Sequence, residues 1–128
     1  MFVKDDPMPK SLLWVGSSHG DMEDMPRDVR GDFGHGLYEA QLGRQPAIAK
    51  IFKHLGESGV WELVTDDRAG TFRAIYTVKF SDAIVVLHVF QKKSKSGIST
   101  PKTEVDLIRQ RLKAAVDVYK GWKEGKKR

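Results

Sequence analysis

Apolar and polar positions alternate most regularly between Thr71 and Phe80. Phe72, Ala74, Tyr76, Val78 and Phe80 fall on one side, and Arg73, Ile75, Thr77 and Lys79 on the other. A period of two marks a strand half buried in a sheet. Ala83–Phe90 is apolar on both sides, as a central strand is. Val60–Thr65 reads as a third strand, joined to the alternating one through Asp66-Asp67-Arg68-Ala69-Gly70, whose residue types favour a turn. Ser81-Asp82 makes the next turn, and the short apolar run Ser11–Val15 reads as a first strand.

Elsewhere the period lengthens. Val29, Phe33, Leu37 and Ala40 share one helical face after Pro26-Arg27-Asp28, a sequence suited to a first turn. Gly31, Gly34 and Gly36 each weaken that helix by about 1 kcal/mol relative to Ala. A shorter helix is expected from a Ser18 cap through Met25. The longest signal follows Thr100-Pro101, with Thr100 at the cap, Pro101 at the first position and a stripe of Val105, Ile108, Leu112, Ala115, Val116 and Tyr119. Lys102, Arg109, Lys113 and Lys120 lie largely off that stripe. The expected order is β-α-α-β-β-β-α. That is an α+β fold with a small, mostly antiparallel sheet, two N-terminal helices and a C-terminal helix. No repeat or Pro/Ser-rich linker divides it. The expected organisation is a flexible tail over 1–10, one domain over 11–120 and a basic tail over 121–128.

Composition narrows the chemistry. At 128 residues the chain fills about one domain, and it has no cysteine, which removes disulfides, thiol nucleophiles and thiolate metal sites. His19, His35, His54 and His88 lack the spacing of a zinc site, so no metal is expected. No phosphate-binding glycine loop or serine elbow is present, and no cofactor is expected. No run approaches the ~20 apolar residues of a membrane span, and a soluble, cytoplasmic protein is the expectation.

Charge then points to a surface. Residues 1–89 carry 10 Lys and Arg against 13 Asp and Glu, a net −3; residues 90–128 carry 12 against 4, a net +8. Such asymmetry fits a polyanionic partner, or a solvated helix face with a basic tail. Arg73, next to a turn, can hold a phosphate through two parallel hydrogen bonds or pair with Glu62 on the neighbouring strand, and the two are compatible. After the central strand come Gln91-Lys92-Lys93-Ser94-Lys95, able to converge on an anion or simply to keep a sheet edge soluble. Lys50 and Lys53 are expected in a loop before the second strand, where they add charge from the other side. His88 is expected to be a buried, hydrogen-bonded mid-strand histidine, and Trp14 and Trp61 to anchor the core.

Several segments together resemble the RelE/ParE toxin superfamily, in particular its phage-derived HigB-like branch. They are Leu12–Trp14, Lys50–Leu55, Gly59–Leu63, the strand F-R-A-I-Y from Phe72, and above all L-H-V-F-Q-K-K-S from Leu87 followed by Thr100-Pro101. The resemblance covers about residues 11–120. It implies a microbial ribonuclease-like fold and a toxin of a type II toxin–antitoxin system that cleaves messenger RNA on the ribosome without metal. It also implies a cognate antitoxin, typically a helix-turn-helix protein. ParE relatives share the fold and inhibit DNA gyrase instead, so fold does not decide activity; a non-catalytic, phage-related protein-binding module is the further alternative. Under the resemblance Arg73 stabilises the transition-state charge, an effect worth roughly 3–4 kcal/mol. Lys53, Lys92 and Lys93 match family lysine positions, with Glu62 and His88 as lesser catalytic candidates and Lys50, Lys95, Lys102 and Arg109 attracting the RNA. One departure stands out: some members place a histidine or tyrosine at the C-terminal end to move protons, and here that end reads Tyr119-Lys120-Gly121-Trp122, with no histidine and with Tyr119 not aligned to that role, so that His88 or a lysine replaces the donor or the chain is a weak nuclease.

Overall fold

A computed structural model describes residues 8–92 and 100–126. The expected Lys93 and Lys95 lie outside the described residues. The elements run β1 (Ser11–Trp14), α1 (Ser18–Glu23), α2 (Arg27–Gln41), β2 (Ala49–Ile51), β3 (Val60–Asp67), β4 (Gly70–Thr77), β5 (Ala83–Lys92) and α3 (Lys102–Lys126). The five strands form one sheet in the order β1-β5-β4-β3-β2. Only β1 and β5 pair parallel; the other pairings are antiparallel. This is the expected α+β architecture with one strand added.

That added strand, β2, lies where a loop was expected, and it carries Lys50. Three residues are too few to show a period. Its pairing with β3, with Lys50 opposite Glu62, is what makes it a strand. β4 ends at Thr77, three residues before the alternation does. There Thr77 Oγ1 donates to the Gly59 carbonyl and accepts from the Lys79 amide, drawing the chain off the sheet. Arg68-Ala69 alone forms the β3–β4 turn, with Gly70 at φ 136° and the Ala69 amide bonded to Asp67 Oδ1.

Both sides of the sheet are covered, but unequally. Phe33, Leu37 and Ala40 from α2 pack on Leu63, Ala74, Tyr76, Ile84 and Val86. Gly36 makes this approach possible: a Cβ there would meet Leu63 Cδ1 at 2.9 Å. The residue that weakens the isolated helix is the one that lets it dock. On the other side Ile108, Leu112 and Ala115 of α3 pack with Val85, Leu87 and Phe90, a fully buried side chain such as Ile108 contributing about 1.5–3 kcal/mol. The strands α3 packs on are β5 and β1. Much of the β4-β3-β2 half of this face is left without a helix.

Two details of α3 depart from expectation. It begins at Lys102, and the Val105 amide bonds to the Pro101 carbonyl, so Pro101 rather than Thr100 stands at the cap. The Thr100 hydroxyl is buried without a partner among the described residues. The helix also continues through Lys126, so residues 121–126, expected in a loose tail, are helical. Tyr119 stacks on Phe80, Lys123 pairs with Asp82, and Lys126 lies over the Trp122 ring, which ties these turns to the sheet end and to one another.

A bulge in β5 sets the phase of everything beyond it. Tyr76 pairs with Val86 and Ile75 with His88, leaving Leu87 without an opposite number. Before the bulge Ile84 and Val86 face α2; after it the next residue on that side is Val89. His88, Phe90 and Lys92 therefore turn to the α3 side, opposite Ile75, Arg73 and Thr71 respectively.

Candidate functional site

Among the described residues, the half of the α3 face that α3 leaves uncovered holds four cations around one carboxylate. β4 contributes Arg73 and β3 contributes Glu62, both buried at 5% and 3% exposure. Arg73 Nη1 donates to Glu62 Oε1. Lys50, from β2, places its Nζ 3.9 Å from the same oxygen. β5 brings buried Lys92 to this face beyond the bulge. Burial holds the Lys92 ammonium below its usual pKa, and Arg73 and Lys50 push it the same way against the pull of Glu62. Lys53 and His54 follow β2 and complete a depression of about 190 Å³, lined by Lys50, Ile51, Lys53, His54, Glu62 and Arg73.

The electrostatics of this arrangement are unbalanced. A carboxylate beside buried arginine offsets the cost of one desolvated charge, and one remains for several cations. Arg73 is also incompletely satisfied: its Nε is buried without a hydrogen-bond partner among the described residues. Leaving such a donor unpaired costs about 1–3 kcal/mol, more for a charged group. An anion entering the depression relieves both deficits, and a phosphate has the oxygens to meet a guanidinium through more than one hydrogen bond.

The remaining predicted residues lie apart from this depression. His88 sits on the same face but under α3, where Nε2 pairs with Glu104. Arg111 Nη1 stands 3.3 Å from Nδ1 and donates to the Leu87 carbonyl at 2.9 Å, while Nη2 donates to Ser17 Oγ at 3.1 Å. Since a guanidinium only donates, Nδ1 is the acceptor and Nε2 carries the proton given to Glu104. Burial lowers the His88 pKa, opposed by the hydrogen bond to Glu104. Lys102 and Arg109 project from α3 and pair with Asp106 at 4.0 and 3.4 Å. Trp14 and Trp61 pack at the edge of the core beneath α2.

Sequence reasoning passed over His54 except as a failed metal ligand. Its adjacency to Lys53 was the available signal. It also missed Arg111 and Glu104 as partners of His88, for which helical spacing alone carries no signal.

A family model described as phage derived protein Gp49-like (DUF891) matches residues 20–113. Among solved structures, E. coli toxin RelE in the free state, with two arginines replaced by alanine, aligns at 17% identity and a TM-score of 0.50, covering 69% of this chain and 88% of that one. A chain of the RelBE2 toxin–antitoxin complex from Mycobacterium tuberculosis aligns at 20% identity and a TM-score of 0.44, covering 70% of this chain and 100% of that one. The RelE likeness is one of fold. No curated protein matches the sequence.

Proposed function

The chain belongs to the phage-derived Gp49-like family, and on that premise we propose that it is the toxin of a toxin–antitoxin pair whose depression cleaves messenger RNA on the ribosome without a metal. The observation that carries this reading is the buried guanidinium of Arg73, held on one side by Glu62 and left with an unpaired Nε in a cation-rich depression. The segment resemblance to HigB-like toxins supports the same reading, and with it a cognate antitoxin as partner.

Cleavage of this kind needs three things from the protein. The 2′-hydroxyl loses a proton as its oxygen attacks the adjacent phosphorus, the phosphorane carries extra negative charge, and the 5′-oxygen leaves with a proton, giving a 2′,3′-cyclic phosphate and a 5′-hydroxyl. Arg73, oriented by Glu62, meets the charge on the phosphorane, where preorganised donors act most strongly. His54 is the imidazole at the depression, the side-chain type suited to moving protons near neutrality. It takes the place left by the missing C-terminal histidine. Lys92, its ammonium made more acidic by burial and neighbouring cations, supplies the proton to the leaving oxygen. Lys50 and Lys53 draw in the RNA backbone.

Induction in bacteria tests the reading. The expected result is growth arrest with fragmented messages, both relieved by Arg73→Lys and by co-expression of the antitoxin. DNA breaks with intact messages would assign the chain to gyrase inhibition instead, and full toxicity of Arg73→Lys would remove the assigned site. Cleavage of ribosome-bound message in the presence of a chelator tests the metal-free chemistry directly.

A further inference from the structure

A second cleft lies on the other face of the sheet. Trp61 and Tyr76, paired across β3 and β4, both line it, and the end of α2 and the segment after it contribute Ala40, Arg44 and Gln45; Lys10 completes the rim. Its volume is about 290 Å³. Trp61 and Tyr76 pack with the α2-side core, whereas Val60 and Ile75, their chain neighbours, belong to the α3 side. The cleft therefore shares no residue with the Arg73 depression.

Tyr76 is the unusual member. The residue is 1% exposed, and its hydroxyl has no hydrogen-bond partner among the described residues. The ring is buried while its oxygen opens on the cleft, where a ligand can accept from it; a phenylalanine would keep the packing and lose that donor. Burial pushes the phenol up to about 12, so it stays protonated and able to donate. The cations at the rim are also available. The Lys10 side chain has no partner among the described residues, and Arg44 makes a single contact with Glu39 at 3.3 Å, which leaves most of its donors unused. Among the described residues, no acidic side chain lines the cleft.

We infer that this cleft binds a nucleoside phosphate: a planar base against Trp61 with an acceptor on its edge for the Tyr76 hydroxyl, and the phosphate between Lys10 and Arg44. Aromatic side chains accept any base by stacking, and the Gln45 amide, both donor and acceptor, is suited to reading its edge. An acidic peptide would satisfy the two cations but leave the indole and the Tyr76 hydroxyl unused. The nucleotide is either free or part of a single RNA strand. The inference does not rest on cleavage at Arg73.

Calorimetric titration of the purified full chain with the four nucleoside monophosphates, and with a single-stranded RNA hexamer, tests it. Binding of a monophosphate identifies a free nucleotide as sufficient, and binding of the hexamer alone identifies a strand. In either case Tyr76→Phe is expected to weaken binding about 5-fold while leaving the melting temperature unchanged. Arg44→Ala with Lys10→Ala is expected to weaken it about 10-fold at low salt, less at high salt, and the part of the binding that depends on Tyr76 and Arg44 is expected to persist in Arg73→Lys, whatever that variant does to anion binding at its own depression. The inference is overturned if neither ligand binds, if Tyr76→Phe binds as well as the parent, if Arg73→Lys removes the binding, or if an acidic peptide binds where the nucleotides do not.

Discussion

Two ionic clusters share the α3 face of the sheet, and they differ in how their charges are resolved. Around His88 every group has a counterpart: Nε2 meets Glu104, Nδ1 meets Arg111, and Arg111 also reaches the Leu87 carbonyl and Ser17. Around Arg73, among the described residues, Arg73 and Lys50 share the single carboxylate of Glu62, and a buried Arg73 donor is left over. The first cluster lies under a helix and the second beside an open depression. A matched buried network holds elements together; an unmatched one at a surface opening stores a demand for a ligand.

Substitutions in the two clusters are expected to separate activity from stability. The largest effect is expected for Arg73→Lys, which keeps a positive charge beside Glu62 but loses the guanidinium fork. RNA cleavage should fall about 100- to 1000-fold, measured as kcat/KM, with little change in the urea midpoint. Arg111→Ala should do the reverse, lowering unfolding free energy by about 2–3 kcal/mol while cleavage per folded molecule persists. His54→Gln is expected to lower cleavage about 100-fold without moving the melting temperature; unchanged activity would transfer the proton step to another group.

Smaller effects sharpen the comparison. Lys92→Met removes one cation from the site and should weaken RNA binding. It should also reduce the slope of log affinity for RNA against log salt by about one. For His88 the sign follows from a folded pKa held below its ordinary 6.5. As pH falls through 6.5 the unfolded chain takes up the proton first, so the stability contributed by neutral His88 is full above that value. It is lost as pH falls from there toward the depressed folded value. Urea unfolding at pH 7.5 and 5.5 should show this slope, and His88→Gln should flatten it.

Much of the fold was legible because long apolar patterns leave few alternatives. The alternation through β4, the stripe on α2 and the stripe on α3 each fixed an element and the face it buries. The pairing of Arg73 with Glu62 followed from adjacent strands of opposite charge. Lys50 was misplaced into a loop because a three-residue edge strand exists only by pairing. The end of α3 was read as loose because its polar composition hides an aromatic stack and an ion pair with Asp82 that only the folded chain supplies.

The sequence by itself determined which residues share a face within an unbroken strand or helix, and that the charge is concentrated toward the C-terminal end. It did not determine how β5 joins those faces. That strand is apolar on both sides, so nothing in its pattern marks the extra residue at Leu87. The pairing with β4 places the bulge there and so turns Lys92 onto the side of Arg73. Without the bulge, strict alternation from Ile84 would put Lys92 on the α2 side. The cations could be read from the chain, but their convergence was decided by a one-residue change of register set by non-local hydrogen bonds.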